Sequence, residues 1–360
     1  MANKINQNMY KCQLSVSPHL KQFLERVSPI KPIYQHNKIF ISCFLILSSL
    51  LIISLAWGRY PITIQNLARI LTLHSSNALL NNIVFNLRLP RALGAICVGA
   101  ALAISGTAYQ GVFQNPLVSP GMLGVANGAA VGAALAILLK TNLVIIQLMA
   151  FFCGLAAVFF SLSIPYFTRQ NSTLALVLAG VVVSGLMQAV LGLLKYLADP
   201  ESQLQDIVYW QLGSLAKVTF ANLISILPIL ILSTLILLLM RWRLTIISLG
   251  SLTAQTQGIN IRVERNLIII SATALTASAV CLSGTISWVG LVIPHIARLL
   301  VGSNLRYALP LAGFLGAIFL LLTDTLARSL TAGEIPLSIL TGFIGTPIFI
   351  YFLLSRKVAL

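Results

Sequence analysis

From residue 39 onward the chain is built of long apolar runs separated by short polar turns. A hydrocarbon core about 30 Å thick is crossed by about 20 apolar residues of helix. On that measure ten segments are predicted, over 39–57, 92–112, 119–139, 143–166, 173–197, 222–240, 266–283, 286–298, 307–328 and 336–354. The eighth is too short to cross alone. The runs are continuously apolar, whereas a membrane barrel would show strict alternation in segments of about ten residues, so an all-α polytopic membrane protein is expected. Residues 1–38 are polar, basic and dotted with prolines. They read as a basic tail ahead of a transmembrane domain at 39–356, because the apolar run that follows starts too late and continues too far for a cleaved signal.

Composition excludes whole classes. Only 8% of the 360 residues are charged, against about 25% in ordinary globular proteins. With 58% hydrophobic residues and mean hydropathy +0.94, so few charges cannot coat a water-facing surface. A soluble enzyme is excluded, as are disorder and a collagen-like repeat. The net charge of +16 is resolved by its distribution. With the tail placed inside, fifteen of the 23 Lys and Arg fall on that side, and five of the seven acids on the other. The positive-inside rule therefore puts both termini in the cytoplasm and needs no nucleic acid, only lipid and water. The five cysteines form no CxxC pair, so neither a disulfide framework nor a metal site is expected.

Two rows of small residues stand four apart, Ala95, Gly99, Ala103, Thr107 and Gly111, then Gly124, Gly128, Gly132 and Ala136. Such rows let helix backbones approach in lipid, or give a wide pore a smooth wall. Between them, residues 110–121 hold Asn115, Pro116, Pro120 and Gly121, a broken backbone that must be buried in protein or line a cavity. Ser105-Gly106-Thr107 precedes Pro116 as Ser283-Gly284-Thr285 precedes Pro294, with eleven residues from serine to proline in each case. The two copies run in opposite directions across the membrane, as in an inverted repeat. Asp324 and Arg328 stand four apart on one helix in the favourable order. His295 lies at a helix end, where an interfacial histidine needs no special role. No mid-span chain of carboxylates or histidines suggests a proton relay. Residues 249–265 predict short helices broken by Gly258, either a compact knob for a partner's cleft or a solvated loop. On the far side Arg88-Leu-Pro-Arg91 stands at the water boundary, where arginine suits carboxylate pairing or lipid phosphate.

These residues resemble a known family. Arg88-Leu-Pro-Arg91, Gln110-Gly111, Asn115-Pro116-Leu117, Pro120-Gly121, Leu123-Gly124-Val125, Ala198-Asp199-Pro200, residues 210–215, residues 290–299 and Glu334-Ile335-Pro336 follow the order found in permeases of the iron-chelate and cobalamin (FecCD-type) branch of ABC importers. The resemblance covers about residues 40–356. It implies a type II importer permease of about ten transmembrane helices in a bacterial plasma (inner) membrane, paired as a homodimer or with a sibling permease. Two ATPase subunits, with their ATP and Mg, and an extracytoplasmic binding protein would complete the machine. The chain itself would hold no cofactor and be no enzyme, in keeping with its lack of a GxxxxGK[ST] loop. Residues 249–265 align with the coupling helices, implying ATPase contact by Gly250, Thr253, Ala254, Gly258, Asn260 and Arg262. Leu252 and Gln257 depart from the common pattern. Arg88, Arg91 and Arg328 match binding-protein docking positions, Arg88 and Arg91 more firmly because Asp324 is placed to hold Arg328. Asn115, Pro116, Pro120, Gly121, Gly180, Ser184 and Pro294 are implied at the pore and broken helices. The implied cargo is a ferric chelate of the siderophore or citrate type, with cobalamin or haem as alternatives and an ATP-independent secondary carrier as a reading of another class.

Overall fold

The computed structural model describes residues 33–355 apart from 59, 73–76, 168–172 and 332. Every regular element among the described residues is helical. In chain order these are α1 (Ile33–Ala56), α2 (Ile64–Leu71), α3 (Ala78–Asn82), a π-helical turn (Ile83–Arg88) and α4 (Leu89–Phe113). After a 3-10 turn at Pro120–Leu123 come α5 (Val125–Leu138), α6 (Leu143–Phe167), α7 (Thr173–Leu197), α8 (Gln203–Leu212) and α9 (Phe220–Leu239). The last third holds α10 (Arg241–Ser248), α11 (Ser251–Thr256), α12 (Ile261–Ser283), α13 (Val289–Val301), α14 (Leu305–Ala327) and α15 (Leu337–Leu354). Eight helical stretches are long and apolar enough to cross a membrane, and α5 and α13 are shorter apolar helices. The helix α1 begins at Ile33, inside the 1–38 tail expected from the sequence; residues 1–32 lie outside the described residues.

Position in the bundle follows side-chain size. Most residues of α4 and α12 are buried, whereas most of α1, α9 and α15 are not. The central helices are rich in Gly, Ala, Ser and Thr, which let backbones meet; the peripheral ones carry Leu, Ile and Phe toward lipid. A Cβ on Gly99 would lie 2.2 Å from the Gly316 carbonyl oxygen of α14, and one on Gly132 would lie 2.2 Å from the Met149 oxygen of α6. The four-residue rows are thus helix-packing seams.

Two breaks shape the interior. Phe113 ends α4 with Gln114 left-handed at φ 50, the chain turns through 114–124, and Gly124 at φ 86 starts α5. With 14 residues, α5 rises about 21 Å and falls short of a bilayer core. The sequence expectation of a full span over 119–139 is corrected here: Pro120, Gly121 and Gly124 draw its first residues into the turn. The second break follows Ser283, with Gly284 at φ 70 and Trp288 at φ 71 before the 13 residues of α13. Long helix, break and half-length helix therefore occur twice, in opposite directions. The Ser-Gly-Thr echo does not mark equivalent positions, because Ser105–Thr107 lies inside α4 whereas Ser283–Thr285 ends α12. Pro294 likewise sits within α13, not at the break. Having no N–H, it leaves the Gly290 carbonyl without its i+4 donor. That oxygen lies where a Cβ on Gly106 of α4 would meet it at 2.0 Å.

Candidate functional site

Charge is concentrated at the two ends of the bundle. At the first, Pro90 cannot donate to the turn before it, and the chain widens into the π turn, where Leu89 N bonds Val84 O. That turn aims Arg88 inward. Its guanidinium donates to the carbonyls of Leu55 at 2.6 Å, Ala56 at 3.0 Å and Tyr60 at 2.5 Å, satisfying the frayed end of α1. Arg91 Nε donates to both Asp324 oxygens, at 2.9 and 3.1 Å, and its Nη1 meets Glu334 Oε1 at 2.8 Å. Arg328 donates to the Ser54 hydroxyl at 2.7 Å and to the Ser54 carbonyl, with Asp324 Oδ2 at 4.0 Å from its Nε. Three arginines and two carboxylates thus tie α1, α4, α14 and the loop before α15.

Arg88 and Arg328 are only 7% and 8% exposed. Their guanidiniums are turned inward onto backbone oxygens, where they brace the bundle. Glu334, with its side chain 27% exposed, is the open edge of the cluster, and Arg91 lies directly behind it. Asp324 holds Arg91 chiefly, in place of the same-helix partner Arg328 expected from spacing. Elsewhere at this end Ser202 Oγ bonds the Asp199 carboxylate in the loop before α8, which holds that carboxyl below the usual range.

At the opposite end α11 projects as a knob from α10, whose Leu244, Ile246 and Ile247 are buried in the bundle. Gly250 at φ 121 and Gly258 at φ 72 flank α11, backbone that side-chain-bearing residues rarely adopt. Asn260 caps α12 by accepting from Val263 N at 3.3 Å, and Arg243 pairs with Glu264. Ser251, Leu252, Thr253, Gln255 and Thr256 are exposed, while Ala254 is fully buried as the anchor of the turn. Of the six residues matched to coupling positions, Ala254 therefore faces the protein, not a partner. Arg262 and Arg265 line a cavity of about 520 Å³ beside the knob, with Gln114 and Gln255.

Of the residues matched to the pathway, Asn115 is exposed, Pro116 and Pro120 are buried, and Gly121 is half-buried. Pro120, Gly121, Trp288 and Gly290 line a cavity of about 250 Å³ where the two breaks meet. Gly180 is corrected to a close contact, since a Cβ there would lie 2.5 Å from the Met122 oxygen. Ser184 faces Gly124 in the same seam. On the exposed side of α7, Gly185, Gln188, Ala189 and Gly192 form a small and polar stripe beside exposed Val182, Leu186 and Leu193. Sequence reading missed this stripe, and also Glu334 as a partner of Arg91. Gln188 was a visible signal, as a lone amide mid-helix on a face that lipid would not favour.

Against known proteins, the model of the FecCD transport family matches residues 45–355. The chain belongs to the FecCD transport family. Within it, the molybdate import permease MolB of Haemophilus influenzae is 40% identical, covering 87% of this chain and 94% of that protein. An iron chelatin permease of Helicobacter pylori is 39% identical over 77% and 84%, and the hemin permease HmuU of Yersinia pestis 38% over 79% and 86%. A solved structure described as an inward-facing metal-chelate type ABC transporter superposes with TM-score 0.80 at 37% identity, covering 89% of this chain and all of that one. This FecCD protein is an ABC importer permease, and the cargoes named for its relatives differ.

Proposed function

We propose that the chain is the membrane-spanning subunit of an ATP-driven importer that passes a ferric chelate from an extracytoplasmic binding protein into a bacterial cytoplasm, with both termini inside. One observation carries the reading: within the FecCD frame, an exposed helical knob between two positive-φ glycines stands on the arginine-rich end of the bundle. It suits a cleft on an ATPase subunit, which would supply hydrolysis with its own ATP and Mg. Two permeases, identical or sibling, would enclose the pathway along the small and polar stripe of α7, where Gly185 and Gly192 have nothing within 4 Å. Such a wall lets a bulky polar cargo pass without holding it. At the opposite end, docking falls on the Arg91–Glu334 edge, with Arg88 and Arg328 bracing it from behind.

The iron chelatin relative and the metal-chelate transporter structure support a chelate as cargo. Identity to the molybdate permease supports a second reading, an oxyanion. Reconstitution with the cognate ATPase and binding protein decides between them: ATP-dependent uptake of a ferric siderophore, without uptake of molybdate, cobalamin or haem, is the expected outcome. Molybdate uptake alone would establish the second reading, and uptake that persists without the ATPase would replace both with a secondary carrier. Glu334→Ala, at the exposed edge of the cluster, is expected to weaken stimulation of ATP hydrolysis by the binding protein; unchanged stimulation removes this edge from the docking surface.

A further inference from the structure

The loop after α4 is held from two sides. On one, Gln114 Nε2 donates to the Ile247 carbonyl of α10 at 2.9 Å, which ties the loop to the base of the knob. On the other, Gln110, His295 and Arg298 converge. Gln110 is buried, and its Nε2 lies 3.3 Å from both the Val118 and Leu291 carbonyls. Its Oε1 accepts from Arg298 Nη2 at 2.5 Å. The same Nη2 lies 3.3 Å from His295 Nδ1, and His295 Nε2 is 3.1 Å from the Pro116 carbonyl. Arginine only donates, so Nδ1 is the acceptor, and a neutral His295 carries its proton on Nε2 and donates it to Pro116. Between the two sides the loop is itself tied, with Asn115 Oδ1 accepting from Leu117 N at 2.9 Å and Val118 N bonding the Asn115 carbonyl at 3.3 Å.

A short segment with internal bonds, fixed to the knob at Gln114, to α13 at Pro116 through His295, and at Val118 to Gln110 of α4, which itself bonds α13, behaves as a strut. We propose that Gln110, His295 and Arg298 are positioning residues that clasp this strut to α13, so that displacement of the knob is transmitted to the half-length helix and to the meeting point of the two breaks. The proposal rests on the reading of the chain as an ATP-driven permease. Loss of the clasp should uncouple the two ends while leaving each intact.

The test uses the assembled permease, ATPase and binding protein in liposomes, with Gln110→Leu, Arg298→Gln and Arg298→Lys compared with the unaltered chain. Two readouts are taken, amide hydrogen exchange across residues 112–119 and cargo moved per ATP hydrolysed. Gln110→Leu and Arg298→Gln are expected to speed exchange at 115–119 about tenfold, with α4 and α12 unchanged. Cargo per ATP should fall about fivefold or more while basal hydrolysis holds, and Arg298→Lys should recover part of both effects. Unchanged exchange overturns the clasp. Transport and hydrolysis falling in proportion overturn the relay and leave a structural role. If the unaltered complex moves no cargo with ATP, the transport reading fails and takes the relay with it, whereas the exchange readout still decides whether the clasp holds the loop.

Discussion

Asp324 grips Arg91 from 233 positions along the chain, and at 1% exposed it has no solvent to fall back on. Removing one partner of a buried pair strands the other charge, at a cost of about 3–5 kcal/mol. Asp324→Ala is therefore expected to lower the unfolding temperature in detergent sharply. Glu334→Ala, whose side chain is 27% exposed, should cost about 1 kcal/mol or less. Equal shifts for both would mean that water reaches the whole cluster. The glycines give a second contrast. Gly106→Ala places a methyl against the Gly290 backbone and should cost about 1–3 kcal/mol, whereas Gly185→Ala, in the interior of α7, meets nothing and should raise stability by about 0.5–1 kcal/mol. Thermal unfolding of the two variants side by side checks this. The glycine seams were legible in the sequence, since four-residue spacing is a local signal. Where the arginines point was not, because their acceptors are backbone oxygens and carboxylates brought in from distant segments, and no local pattern records that.

Among the elements, hydropathy located the ten apolar segments because burial in lipid demands length and composition alone. It could not tell a crossing helix from α5, where Pro120, Gly121 and Gly124 divert the start of an apolar run without making it polar. The second break was misplaced to Pro294 for a related reason: that proline costs α13 one hydrogen bond, at Gly290, without ending it, and the interruption belongs to Gly284 and Trp288. The knob was readable from Gly258 and the surrounding polar residues, although the inward face of Ala254 was not. At φ 121, Gly250→Val forces a strained backbone costing about 1–3 kcal/mol locally. This variant is expected to re-aim α11 and to weaken retention of the ATPase subunit on an affinity column, with the bundle's melting temperature little changed. Leu252→Asp, at a side chain 78% exposed, should do the same without backbone strain. Full retention in both variants would place the ATPase contact elsewhere.

Over the whole molecule, the small-residue helices α4 and α12 form the axis and the bulky ones the rim, so exposure reports the surroundings of each face. The exposed stripe of α7 made of Gly185, Gln188, Ala189 and Gly192 has small side chains and an amide, between exposed Val182, Leu186 and Leu193, where the exposed faces of α9 carry Leu and Ile. A single cysteine at Gln188 is expected to react with a charged, water-soluble thiol reagent in the assembled transporter, and one at Leu232 is not. Equal labelling at the two positions would show that the α7 stripe meets lipid.

The contact of Gly106 with Gly290 has one more consequence. Because residue 294 supplies no N–H, the Gly290 oxygen is not committed to its own helix, and because residue 106 has no side chain, nothing interlocks across the joint. The two helices touch there through backbone alone. At this joint a sideways slip would exchange one weak carbon–hydrogen contact for another, so the register of α13 along α4 is held by the bonds of Gln110 to Leu291 and Arg298. The joint therefore has the character of a sliding bearing, with low friction along the seam and firm resistance to compression across it.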